Sequence, residues 1–158
     1  MQLKLICIGK AKGPYRELSR EYEKRIDRYA RLVVRELSEV KYSGSPTPGE
    51  ISQILQREAT AIRRELTGRE LVVALDAHGT SISSVELAEW IHSHAAEGRS
   101  QVAFVIGGSL GLDENLKREA DFTLSLSAMT LPHQLARVVL LEQLYRALTI
   151  IRNEPYHK

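Results

Sequence analysis

Apolar positions along the chain fall into two alternating kinds of segment. Leu3 to Ile8, Leu71 to Leu75 and Val102 to Ile106 are apolar at nearly every position, which predicts short strands buried on both faces. Between them, apolar residues return every three or four positions. Tyr15, Leu18, Tyr22, Ile26 and Tyr29 stripe Pro14 to Tyr29, and Ile51, Ile54, Leu55, Ile62 and Leu66 mark a second helix. A third runs through Val85, Ala88, Ile91 and Ala95, opened by Ser83 with Glu86 three residues on, the spacing of a capping box. Leu32 to Val40, rich in Val and Leu, reads as a strand, and residues 41–50, with Gly44, Pro46, Pro48 and Gly49, as a loop. Asp113 can cap a short helix reaching Ala120, and Phe122 to Leu126 is the last strand. After the loop Ser127 to Leu131, Pro132 suits the first turn of a helix that runs to Ile150. Strands alternating with helices predict an α/β fold, a mostly parallel sheet with helices on both faces. No repeat, linker or low-complexity tract interrupts the pattern, so residues 1–158 are expected to form one domain.

The final helix differs from the others. Leu135, Val138, Val139, Leu140, Leu141, Leu144, Tyr145, Leu148 and Ile150 leave it apolar nearly all round, and such a helix is buried nearly all round. Either a second subunit covers it, which predicts a homodimer, or it runs through the core of the monomer. The first helix has a charged side instead. Its pairs Glu21–Arg25 and Asp27–Arg31, four residues apart, predict a solvated and self-paired face rather than an RNA site.

Composition narrows the picture only slightly. Hydrophobic residues at 43% and charged residues at 27% are ordinary for a globular protein, and a net charge of +2 means that any basic footprint must be local. The lone cysteine, Cys7, lies within an apolar strand, where a buried structural thiol is expected, with no disulfide or cysteine zinc cluster. The chain opens on a strand rather than a signal peptide, and no apolar run approaches the roughly 20 residues of a membrane span. A cytoplasmic protein without a membrane partner is expected.

Ligands of open α/β sheets sit beyond the carboxyl ends of strands. Three such ends carry loop signals: Leu75-Asp76, Ile106-Gly107-Gly108 and Leu126 to Leu131. A dinucleotide fingerprint fails, because Ser109 interrupts the spacing of Gly107, Gly108 and Gly111 and Asp121 comes too early and precedes its strand. No phosphate loop of the G-x-x-x-x-G-K-[ST] type exists either. The glycines still allow close backbone approach at a strand end. The third loop offers hydroxyls, a methionine and main-chain amides, a mixture that suits an adenine and a sulfonium as well as it suits an ordinary connection.

The order of features carries more. A strand ending Val105-Ile106-Gly107-Gly108-Ser109 is followed by Leu124 to Gln134, then by Arg137 to Ala147, and the chain closes on Asn153-Glu154-Pro155-Tyr156-His157-Lys158. With Ile8-Gly9-Lys10 and Glu21 to Arg25, this succession resembles the RlmH-type branch of the SPOUT methyltransferases from end to end, most specifically from Phe104 onward. The resemblance implies a SPOUT-type fold with a C-terminal trefoil knot, a homodimer packed through the last helix, and methyl transfer from S-adenosylmethionine to N3 of a pseudouridine in 23S ribosomal RNA. It places the donor on Leu75, Gly107, Leu126, Ser127, Ala128, Met129, Thr130 and Leu131, with no metal.

N3 of pseudouridine is a neutral imide nitrogen, so its proton must leave as the methyl arrives, and positioning supplies much of the rate. Tyr156 and His157 are the candidate catalytic groups of the tail, His157 as general base or as a stacking or phosphate contact. Arg137, Arg152 and Lys158 are the candidate RNA contacts. His133, at a helix start, is expected to be structural. His78, His92 and His94 are expected at the surface, since no metal-ligand spacing links them. Two rivals remain: a non-catalytic RNA- or ribosome-binding protein of the same fold, and a flavodoxin-like binder of a small molecule.

Overall fold

The computed structural model describes residues 1–158. Five strands, β1 (Gln2–Ile8), β2 (Arg31–Leu37), β3 (Leu71–Ser81), β4 (Gln101–Ile106) and β5 (Phe122–Ser125), alternate with five helices, α1 (Gly13–Ile26), α2 (Pro48–Glu65), α3 (Ser84–Ala96), α4 (Glu114–Glu119) and α5 (His133–Ile151). The strands form one sheet in the order β2-β1-β4-β3-β5, parallel throughout. Alternate side chains of a strand point to opposite faces. Leu3, Leu5 and Cys7 of β1 therefore join Val102, Phe104 and Ile106 of β4 beneath α1, α3 and α5. Ile6 and Ile8 join Ala74 and Val105 beneath α2 and α4.

Several boundaries move for identifiable reasons. The expected loop 41–50 gives way to a helix at Pro48, because Thr47 Oγ1 accepts from the Glu50 amide while the Glu50 carboxylate accepts from the Thr47 amide. β2 ends at Leu37 rather than Val40, and the Val40 amide donates to the Glu58 carboxylate of α2 instead of to the sheet. α1 ends at Ile26 rather than Tyr29, so Asp27 and Arg31 are not one helical turn apart. Asp27 accepts from the Leu32 amide, and only the Glu21–Arg25 pair forms, at 2.8 Å.

β3 continues past Leu75. Leu75 and Thr80 both pair with Leu124, and residues 76–79 bulge out between them. Gly79 makes this fit possible: a side chain there would begin 2.7 Å from the Thr123 carbonyl oxygen.

The apolar circumference of α5 has its cover within one chain. Leu140, Leu141, Leu144 and Ala147 are completely buried, and α5 packs between α1 and α3 over the sheet. The core of the monomer thus covers most of the apolar surface of this helix. Cys7 is 3% exposed, and burial pushes its thiol up to about 12, as suits a structural residue. No helix is long and apolar enough to cross a membrane.

Candidate functional site

Because β4, β3 and β5 are neighbours in the sheet, the loops that follow them stand side by side at one edge. They enclose a cleft of about 620 Å³, within the range of small-molecule sites. Leu75, Asp76 and Ala77 form one wall, Ile106 to Ser109 with Gly111 the next, and Leu126, Ser127, Met129, Thr130 and Leu131 the third. The first turn of α5 closes it through Pro132, His133 and Ala136. Seven of the eight residues expected to hold the donor are thereby brought together: Leu75, Gly107, Leu126, Ser127, Met129, Thr130 and Leu131. Ala128 belongs to the same loop but does not line the cleft.

Short-range bonds set the shape of the walls. Ser125 Oγ, buried at the end of β5, lies 3.0 Å from the Ala77 carbonyl and 3.1 Å from that of Ser127, and its one proton ties the first wall or the third. Ser127 Oγ accepts from the Met129 amide at 3.0 Å and turns the third loop. The second wall is a turn in which Gly111, at φ +85°, donates its amide to the Gly108 carbonyl. That turn folds back on Gly107 so closely that a side chain there would strike the Gly111 carbonyl. The bare backbone of Gly107 is thus demanded first by the chain itself, not by a ligand alone.

Charge at the cleft is anchored. Burial would raise the Asp76 carboxyl, but hydrogen bonds from Lys117 Nζ at 2.7 Å and from the His78 amide outweigh it and keep the group below the usual carboxylate range. On the far side, Glu39 accepts from both the amide and the hydroxyl of Ser109, at 3.1 and 2.8 Å, which also holds its carboxyl low. No group of three or more His, Cys, Asp or Glu side chains is arranged to hold a metal ion.

The expected catalytic tail lies elsewhere on the chain. Tyr156, His157 and Lys158 follow the carboxyl end of α5, while the cleft adjoins its amino end, about 27 Å away for 19 residues of helix. The tail is docked. Asn153 takes a left-handed turn at φ 54°, the Glu154 amide donates to the Thr149 carbonyl, and the chain doubles back. The Tyr156 ring meets Tyr145 edge-on at 4.6 Å, Arg146 lies over it at 4.7 Å, and its hydroxyl donates to Glu142. Burial and that hydrogen bond push the Tyr156 phenol up to about 12, so it is a poor proton acceptor or donor near neutrality. His157 is exposed, with Nδ1 3.5 Å from the Arg146 guanidinium, and Arg152 and Lys158 are exposed.

Arg137 is placed differently from expectation. Its side chain is 7% exposed and grips Glu23 of α1 and Glu36 of β2. A guanidinium so enclosed offers RNA no surface, and it works as a strut between α5, α1 and β2. His133, expected to be structural, stands on the cleft wall. Ser125 and Glu39 escaped the sequence reading: Ser125 sits inside the stretch Leu124 to Gln134 without a role of its own, and only the folded chain puts either residue against its loops. His78 and His92 are exposed as expected, whereas His94 is half-buried against Trp90, ring centroids 4.5 Å apart.

Comparison with known proteins agrees with this architecture. Residues 1–157 match the family described as predicted SPOUT methyltransferase. The chain is 45% identical to the ribosomal RNA large subunit methyltransferase H of Acetivibrio thermocellus and 43% identical to that of Carboxydothermus hydrogenoformans, over the whole of each chain. Among solved structures it is similar to a probable methylase family protein from Haemophilus influenzae, with 15% identity, a TM-score of 0.56, and coverage of 99% of this chain and 70% of that one. A probable methyltransferase from Bordetella pertussis has the same TM-score at 16% identity, covering 92% of this chain and 95% of its own. At those identities the structural likeness speaks for the fold.

Proposed function

The chain belongs to the SPOUT methyltransferase family, and on that premise we propose that it methylates N3 of a pseudouridine in 23S ribosomal RNA, with S-adenosylmethionine as donor. The observation that carries the reading is the cleft: three adjacent strand ends, lined by bare glycine backbone, hydroxyls and apolar side chains, large enough for a nucleoside-sized ligand. The named relatives, full-length and more than 40% identical, support ribosomal RNA of the large subunit as the substrate class.

The residues present fit the donor. Gly107 and the turn to Gly111 offer main-chain groups, Leu75, Ile106, Leu124 and Leu126 an apolar seat for an adenine, and Ser127 and Thr130 hydroxyls beside it. When bound there, the donor supplies an electrophilic methyl on a sulfonium. Methyl transfer would leave the donor as a neutral thioether, and the N3 proton would pass to a general base, for which His157 is the candidate. The chain's part is to hold the two reactants in line and keep water out. Loops that cross at this edge before α5 returns to the opposite end of the sheet are the segments from which we expect a trefoil knot to be tied.

The tail enters this proposal only through a second copy. On its own chain it sits a helix length from the cleft, so Tyr156 and His157 can serve the reaction only if a homodimer sets the tail of one subunit at the cleft of the other. Val139, half-buried on α5, tests the dimer without touching the core: Val139→Glu is expected to halve the mass seen by light scattering, and an unchanged mass removes this interface. The decisive experiment for the function is mass mapping of 23S ribosomal RNA from a strain lacking this protein. Loss of one methylated pseudouridine, restored by the purified protein with S-adenosylmethionine, is the expected result, and an unchanged map refutes the assignment.

A further inference from the structure

We propose that Lys10, Lys12 and Tyr42 form a platform at the cleft rim that receives the RNA strand, the two ammonium groups on its phosphates and the Tyr42 ring stacked on a base. The proposal rests on the methyl-transfer reading and adds to it a surface for the acceptor.

Three loops converge where the cleft opens toward β1 and β2. From the first, the Lys12 amide donates to Gln134 Oε1 of α5 at 2.8 Å, and a side chain at Gly9 would begin 3.5 Å from Nε2 of the cleft-lining His133. From the second, Glu39 takes two hydrogen bonds from Ser109, and Tyr42 Oη lies 3.2 Å from Ser109 Oγ. The third is the turn 107–111, itself a cleft wall. Lys12 is bonded to the residue that follows His133, and Glu39 to the turn 107–111, so both loops border one rim.

What this rim displays suits a nucleic acid. Lys10 and Lys12 are exposed, and Lys12 is held by its backbone, which leaves the ammonium free to reach a phosphate. Tyr42 is 41% exposed although its tip is tethered. A tyrosine pinned through its hydroxyl with its ring open has little left to lose in rotamer freedom when a base stacks on it. Within one chain the basic residues expected for this task stand apart from the rim: Arg137 is enclosed by carboxylates, and Arg152 and Lys158 follow the other end of α5.

Binding of ribosomal large subunits, methyl transfer and donor calorimetry on the same proteins test the platform. In the double variant Lys10→Ala/Lys12→Ala, KM for the ribosomal substrate should rise about tenfold or more, and the salt dependence of binding should lose about one to two units of log–log slope. Donor affinity should not change. Tyr42→Ala should weaken RNA binding about 5- to 100-fold, the scale of one lost stack, while Tyr42→Phe, which keeps the ring and loses the tether, retains most of it.

Unchanged KM and salt slope in the double variant overturn the phosphate contacts. Donor affinity falling together with KM assigns the lysines to the donor instead and overturns the proposal. Tyr42→Phe as damaging as Tyr42→Ala makes the residue a brace for Ser109 and overturns the stacking. Wild-type protein that binds ribosomal particles but transfers no methyl refutes the catalytic reading alone, whereas normal wild-type transfer with insensitive variants refutes the platform alone.

Discussion

At its amino end α5 meets the cleft through Pro132, His133 and Ala136, and the loop leading into it leaves Met129 76% exposed. At its carboxyl end the same helix is locked by rings and ion pairs. Tyr22, Tyr29, Tyr145 and Tyr156 pack on one another, Arg146 bonds Glu142, and the Tyr29 hydroxyl reaches Glu154. One end is left open, with polar groups spent on shaping loops; the other is closed, with polar groups spent on one another. The difference teaches where a ligand can enter. It also shows that Tyr156, beyond the last helix, packs back onto α5 while His157 and Lys158 stay exposed.

The largest expected effect is at the open end. Gly107→Val drives a branched side chain into the Gly111 carbonyl, so it should cost about 1–3 kcal/mol of stability and weaken donor binding more than about 100-fold. Calorimetry and thermal melting together measure it, and normal donor binding would separate the cleft from the donor. The second effect is at the closed end. Deleting Tyr156, His157 and Lys158 should cost about 1–2 kcal/mol through the lost aromatic and cation–π contacts. It should leave donor affinity unchanged and lower methyl transfer at least about tenfold. Full transfer by the truncated protein would end the tail's part in the chemistry.

A smaller effect appears in alkali and touches only the closed end. The hydrogen bond to Glu154 raises the Tyr29 phenol to about 12, and burial with the Glu142 bond does the same for Tyr156. Folded values above the ordinary value near 10 mean that these contacts contribute fully below pH 10 and are lost as pH rises toward 12. Tyrosinate absorbance should therefore show two late phenols, and replacing Glu154 with Gln should bring one of them forward. The smallest effect is Met129→Ala. With so little of the side chain buried, stability should change by less than about 0.5 kcal/mol, while donor affinity falls about fivefold if the thioether packs on the ligand. A large loss of stability would show that the open end is less free than its exposure implies.

The cleft was largely legible in the sequence because its residues sit where local rules are strong. Fully apolar runs ending at Leu75 and Ile106 announce buried parallel strands, and parallel strands deliver their loops to one edge. Caps at Ser83 and Asp113 were equally plain. The capping box at Thr47 and Glu50 was present too, but the prolines and glycines around it read as a loop. Where the reading failed, the missing information was spatial. Nothing in the order of residues says that Arg137 meets Glu23 and Glu36, 114 and 101 positions away. Nor does it say that Tyr156 folds back onto Tyr145 and Glu142.

The sequence by itself determined the element order, the α/β class, the three loops of the cleft and the buried state of Cys7. These follow from hydrophobic period, capping chemistry and glycine placement, all of which act within a few residues. The tertiary structure alone decided what covers α5, which arginine is accessible, and which loops share the cleft rim. An all-round apolar helix requires burial but does not say by which neighbour, since the hydrophobic effect has no direction. Within one chain, the strand order β2-β1-β4-β3-β5, with α1 and α3 flanking α5, supplies that neighbour.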